Sequence, residues 1–312
     1  MTTTAFEKIV LVTRKTRLAE LVERFNTRAQ AKFYIDRAGG NFGEYEAEDD
    51  VYRRALEHVR RAVEVGLKLQ LLDRELVPTY AFSGTDLVLV LGQDGLVANV
   101  AKYAVGQPVV AVNPDPERFD GILLPFRPDD ARTTVLATLD GRVRVRAVTL
   151  AEARLGDGQR LLAFNDLFIG ARSHVSARYR LHWHGRDEPQ SSSGVLVATG
   201  AGSTGWLSSV FHMVSGVAAW SGAPAVRPPA LAWEDGRLMF VVREPFVSRH
   251  SRADVVADAI EPGERLEIAS AMPSGGVIFS DGIEADYLAF DSGTTAVVSA
   301  AGEQAQLVTA TT

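Results

Sequence analysis

Cysteine is absent from the 312 residues, which excludes disulfides, thiolate metal sites and a cysteine nucleophile. Any metal must therefore sit on oxygen or imidazole. No stretch approaches the roughly 18 to 20 uninterrupted apolar residues of a membrane span, so no membrane association is expected. An excess of basic charge is also missing. The formal net charge is −6 and the pI is near 5.6, which argues against non-specific nucleic-acid binding, because that rests on neutralising many phosphates. Residues 1–5 are short and polar and run straight into an apolar stretch at 9–12, leaving no room for a targeting peptide, and a cytoplasmic protein is expected. Apolar content, by contrast, is ample: 46% of residues are hydrophobic and 23% charged, enough for two ordinary domains or one large one.

The first part of the chain alternates strand-like and helix-like patterns. After the run at 9–12, Leu18, Leu21, Val22 and Phe25 recur at helical spacing, and Gly39, Gly40 and Gly43 mark a loop. Tyr52, Ala55, Leu56, Val59, Ala62 and Val63 then outline a second helix. Arg53, Arg54, Glu57, Arg60, Arg61 and Glu64 on its other side read as a solvated face with Glu57 and Arg61 paired at i,i+4. The run at 87–91 reads as a buried strand, followed by a helix from Val97 and a strand at 109–112, a βαβ unit. Beyond a helix-like stretch at 129–139, short runs at 143–148, 161–169, 177–183, 195–198, 238–242, 266–268 and 277–279 are separated by turns. The polar stretch 190–193 reads as a loop. The expected architecture is an α/β N-terminal domain with an open, mostly parallel sheet over residues 1–128, and a β-rich C-terminal domain over 129–312 whose last strands can pack back on the first.

Two loops carry candidate chemistry. Gly92, Gln93, Asp94, Gly95 and Leu96 follow the buried strand directly, placing a carboxylate at its carboxyl end, where open α/β sheets bind ligands and a helix N-terminus suits phosphate. The competing reading of Asp94 is a cap on the following helix. The second loop, Gly200, Ala201, Gly202, Ser203, Thr204 and Gly205, has the G-x-G-x-x-G pattern of a pyrophosphate cradle. However, the stretch 221–229 beyond it is turn-like and lacks the acidic residue that a Rossmann unit wants. A small-residue loop approached closely by a ligand is the other reading.

Taken together, GQDGL at 92–96 with PVVAVN at 108–113, FNDLFIG at 164–170, TGAGSTGW at 199–206, and the pair Asp281 and Gly282 resemble, in order and spacing, the signatures of the NAD kinase family. VNPDPERFDGILLPF at 112–126, SSSG at 191–194 and VREPF at 242–246 resemble its mitochondrial-type branch. The resemblance implies an NAD kinase-like fold and transfer of the terminal phosphoryl group of ATP to the adenosine 2′-hydroxyl of NAD, with magnesium accompanying ATP and a homodimer as the assembly. It implies Asp94 as proton acceptor, and Gly92, Gln93, Gly95, Asn113, Asn165, Asp166, Thr199, Gly202, Ser203, Thr204 and Asp281 as nucleotide-binding positions. Magnesium on the ATP phosphates would supply charge neutralisation, and no metal ligand from the protein is expected.

The chain also departs from the family pattern. Gln93 replaces a glycine, and if that position needs φ > 0 the strain is about 1 kcal/mol or more. Leu96 replaces a threonine and removes a hydroxyl. Gly200, Ala201 and Trp206 replace proline, threonine and tyrosine, and Asp166 is one methylene shorter than the usual glutamate. These changes leave open a nucleotide-binding protein of the same fold without turnover, and a related kinase acting on a lipid or sugar hydroxyl. Elsewhere, His182 and His184 flank Trp183 on a strand-like run and either chelate a metal or sit on a solvated hairpin. Arg249, His250 and Arg252 either reach a phosphate or lie on an exposed loop.

Overall fold

The computed structural model describes residues 6–311. The chain divides into two compact units, Met1–Arg146 with Gln306–Thr312, and Ala147–Ala305.

In the first unit the elements are β1 (Lys8–Thr13), α1 (Arg17–Phe25), α2 (Arg28–Arg37), α3 (Phe42–Ala62), β2 (Lys68–Asp73), β3 (Asp86–Leu91), α4 (Asp94–Ala101), β4 (Pro108–Val112) and α5 (Ala131–Leu139). The sheet order is β2-β1-β3-β4, continued by residues 306–307 of the chain's last strand, and each of these pairings is parallel. All six residues of β3 are buried, as expected for a parallel strand covered on both faces. Tyr52, Ala55 and Val59 of α3 and Ala131 and Val135 of α5 pack on this sheet. Thr16, Thr27 and Asn41 cap α1, α2 and α3 through their side chains, satisfying N–H groups that a helix start leaves orphaned.

In the second unit β5 (Val143–Leu155) enters, followed by β6 (Arg160–Ala163), β7 (Asp166–Ala171), β8 (Ala177–Trp183), β9 (Arg186–Ser192), β10 (Val195–Ala198), α6 (Trp206–Trp220), β11 (Leu238–Val242), β12 (Ala257–Ile260), β13 (Leu266–Ser270), β14 (Gly276–Ser280), β15 (Ile283–Ala289) and β16 (Thr295–Thr311). One antiparallel sheet has the order β12-β11-β10-β7-β14-β15. Its inward residues, among them Leu167, Ile169, Val195, Val197, Phe240 and Ile278, meet Tyr179, Leu181, Leu266, Ile268 and Val298 from the facing strands to form the core. α6 covers Leu196, Ala198 and Val241 on the sheet's opposite face.

Several expectations are corrected. The unit boundary falls at 146/147, not 128/129, because α5 belongs to the parallel sheet's core. α2 fills what read as loop: only Ala31 and Ile35 are buried while Phe33 and Tyr34 are exposed, so no apolar stripe marks it. The edge strand β2, with Leu71 exposed, lacks clean alternation. α4 starts at Asp94, three residues before the first apolar residue of its pattern. Residues 190–192 are strand, not loop. β9 buries Glu188, Gln190 and Ser192, and these polar side chains are satisfied internally: the Tyr179 hydroxyl donates to Gln190 Oε1 at 3.0 Å and lies 2.8 Å from Ser192 Oγ, while Gln190 Nε2 donates to Val255 O at 2.8 Å.

Candidate functional site

In the first unit, β1 and β3 are neighbours whose connections leave in opposite directions, β1 toward β2 and β3 toward β4. The crevice beyond their carboxyl ends is the topological switch point of the sheet, and the turn at 92–95 lies there. Gln93 is the N-cap of α4 with φ −112° and ψ 166°, extended backbone that any residue adopts. The anticipated strain is therefore absent. The close approach is at Gly92 instead: the buried Leu96 side chain closes over it, and a Cβ there would sit 2.6 Å from Leu96 Cδ2 and force that side chain to shift.

Asp94 is the first residue of α4 and does not cap it. Its Oδ1 accepts the Leu123 N–H at 2.6 Å, and its other oxygen takes no hydrogen bond among the described residues. Gly95 is exposed with open space around it. Asn113, at the end of β4, supports this arrangement from within. Its amide donates to Phe119 O at 2.9 Å and accepts Asp115 N–H at 3.0 Å, shaping the loop that delivers Leu123. Both ends of the Asn113 amide are thus committed to the loop.

The sequence reading missed Arg14, which follows β1 at the same crevice. Its side chain is 9% exposed and ion-pairs with Glu48 at 3.1 Å; a second nitrogen donates to Lys15 O at 3.0 Å, while the buried Nε has no partner. Tyr52 ties Arg14 to the end of β3, accepting Arg14 N–H at 3.0 Å and donating to Leu91 O at 3.1 Å. Burial raises the Tyr52 phenol pKa, only partly offset by the Arg14 N–H, so the hydroxyl keeps its proton. Burial also pushes the Glu48 carboxyl up, but hydrogen bonds from Arg17 and Arg14 outweigh it and hold the group below the usual carboxylate range. The only sequence signal for Arg14 is its position directly after the first strand.

In the second unit, Asp281 is a scaffold. Held at φ 54°, its carboxylate accepts the N–H groups of Phe164, Asn165 and Asp166 at 3.1, 2.7 and 3.3 Å. The start of β7 is thereby fixed against the turn that follows β14. The buried Thr199 hydroxyl donates to Phe164 O at 2.6 Å and accepts Gly202 N–H at 3.1 Å, and Ser203 Oγ donates to Gly200 O at 2.7 Å. Gly202 is needed for close approach, since a Cβ would fall 2.0 Å from Asn165 O. These hydroxyls hold the loop, whereas sequence alone offered them to a ligand. The half-buried Asn165 amide has no hydrogen bond among the described residues, Thr204 is exposed, and Asp166 is buried.

The Rossmann reading fails on topology, because β10 is antiparallel to both its neighbours. The metal reading of the histidines fails as well. β8 ends at Trp183, and His184 turns away at φ 48° to stack on Trp183 and bond Glu264 at 2.9 Å. His182 faces Asp187 at 3.4 Å across the hairpin. Arg249, His250 and Arg252 lie on an exposed loop organised by Ser248 and Ser251. Among the described residues, no helix is long and apolar enough to cross a membrane.

The parallel sheet of the first unit and the antiparallel sandwich of the second define the NAD kinase-like fold. Two solved structures share it. The chain matches a crystal structure of an NAD kinase from Archaeoglobus fulgidus in complex with ATP at a TM-score of 0.53 and 15% identity, covering 96% of this chain and 93% of that one. It matches a yeast NADH kinase complexed with NADH at 0.55 and 15%, covering 97% and 84%. No family model and no curated protein matches the sequence.

Proposed function

We propose that the chain is an ATP-dependent NAD kinase, moving the terminal phosphoryl group of ATP to the adenosine 2′-hydroxyl of NAD to give NADP. The observation that carries this reading is Asp94, a carboxylate at the switch point with one oxygen fixed by Leu123 N–H and the other without a partner. A carboxylate is a weak base toward a ribose hydroxyl, so Asp94 orients the hydroxyl and takes its proton as the new O–P bond forms and the bond to the ADP leaving group breaks. Arg14, ion-paired with Glu48, sets a permanent cation beside the crevice. Asn165 offers a donor and an acceptor suited to a purine edge or a ribose diol. The structural relatives, one bound to ATP and one to NADH, support the substrate class.

Magnesium would arrive on the ATP phosphates and neutralise their charge, leaving the partner-free Asp94 oxygen to the ribose hydroxyl. The missing hydroxyl at Leu96 favours one second reading, a nucleotide-binding protein of this fold without turnover. Steady-state NADP formation separates the two. Asp94→Asn is expected to lower kcat by about 10²- to 10⁴-fold, with NAD binding and melting temperature retained. If the protein binds NAD but makes no NADP from magnesium and either ATP or polyphosphate, the second reading replaces the first.

A further inference from the structure

α6 meets the outer face of its sheet only through its N-terminal part. Leu207 is its one buried residue, with Trp206, Val210 and Phe211 packed beside it against Leu196, Ala198 and Val241. Further along, the helix stands off the sheet, and Met213 and Val214 are 51% and 38% exposed. The segment that returns from α6 props it there: the Ser215 hydroxyl donates to Val226 O, and Ala223 N–H donates to Ala218 O at 2.8 Å.

The gap so left is a cavity of about 520 Å³, bounded by Phe211, Met213 and Val214 of α6, by Val226, and by Val241 and Val256 on the sheet side. A space of this size holds a small-molecule ligand. Its lining is almost wholly hydrocarbon, since α6 carries no Asp, Glu, Lys or Arg, and the charged side chains that reach it are Arg243 and Glu244 alone. Glu244 is exposed, where water and salt screen its charge. Arg243 is half-buried, with its guanidinium 5.0 Å from the Trp206 ring centroid and no ion pair or hydrogen bond to its side chain among the described residues.

We propose that this cavity binds a free fatty acid, with the alkyl chain between α6 and the sheet and the carboxylate on Arg243. Walls of valine, methionine and phenylalanine offer water too few partners to hold it, and they gain dispersion contacts from any hydrocarbon that fills the space. Polar groups along the body of a ligand would be buried without hydrogen bonds, which selects a plain alkyl chain. A single guanidinium without a partner then selects one anionic end, and a carboxylate matches its planar fork. The proposal does not rest on the kinase reading, because every residue it uses lies in the second unit and outside the Asp94 crevice.

The test is calorimetric titration of the full chain, without nucleotide and below micelle-forming concentrations, with octanoate, decanoate and 1-decanol. Decanoate should bind saturably, about tenfold or more tighter than octanoate, since each added methylene contributes about fourfold, and tighter than 1-decanol. Val214→Asp sets a charge in the cavity wall at a part-exposed position and should weaken decanoate at least tenfold, with circular dichroism and melting temperature unchanged. Arg243→Gln should remove the preference for decanoate over 1-decanol and leave 1-decanol binding as it was. The proposal is overturned if decanoate does not saturate, if Val214→Asp binds it as the parent does, or if Arg243→Gln keeps the preference. It is overturned as well if sedimentation shows a parent dimer that Val214→Asp converts to monomer, because a second copy then fills the space. Asp94→Asn should bind decanoate as the parent does, so a failed kinase reading and a failed cavity are told apart.

Discussion

Position 93 shows how far a single residue can be read without its backbone. A glutamine where a glycine is expected predicts strain only if φ is positive, and the observed φ of −112° removes the strain. Gln93→Gly should therefore leave NADP formation unchanged and cost about 0.5–1 kcal/mol through added freedom of the unfolded chain, as read by thermal melting and steady-state rates. A large gain in rate would instead mean that the turn adopts another backbone during turnover. The place of Asp94 at the carboxyl end of a buried strand was legible because the apolar run at 87–91 ends just before its turn. Arg14 was not, because its value lies in contacts with Glu48 and Tyr52, which are 34 and 38 residues away in sequence.

Among the elements, the loop between β10 and α6 was recognisable by its small residues, but its logic is packing. Gly200 and Gly202 each lie where a Cβ would strike a backbone carbonyl, Ala232 O at 1.8 Å and Asn165 O at 2.0 Å. Gly202→Ala should cost about 2 kcal/mol or more and weaken NAD binding along with it, since the displaced atom belongs to Asn165. Calorimetric titration with NAD and a denaturant midpoint would show both; unchanged NAD affinity would detach Asn165 from the nucleotide. β9 escaped the hydropathy pattern because its buried face is polar and satisfied by Tyr179. Pro189 within it fits an edge strand, where one N–H fewer costs no ladder bond.

Across the whole molecule, the chain leaves the first unit and returns to it. Val308, 1% exposed, packs in the core of the parallel sheet beside Val110 and Val112. Val308→Ala should cost the first unit about 2 kcal/mol, seen as an earlier midpoint by far-UV circular dichroism, to which α1 to α5 contribute. Fluorescence follows the second unit, which holds all four tryptophans, and should shift less. An equal shift in both signals would mean that the units unfold as one. The sequence by itself determined the parallel sheet, the β-rich second half and the glycine-bounded carboxylate, because hydrophobic period and turn chemistry are local properties. Only the tertiary structure decided which polar groups are consumed by the scaffold, as at Asn113, Thr199, Ser203 and Asp281, and which remain available, as at Asp94, Asn165 and Arg243. A hydrogen bond is spent or spared by whatever distant part of the chain folds against it.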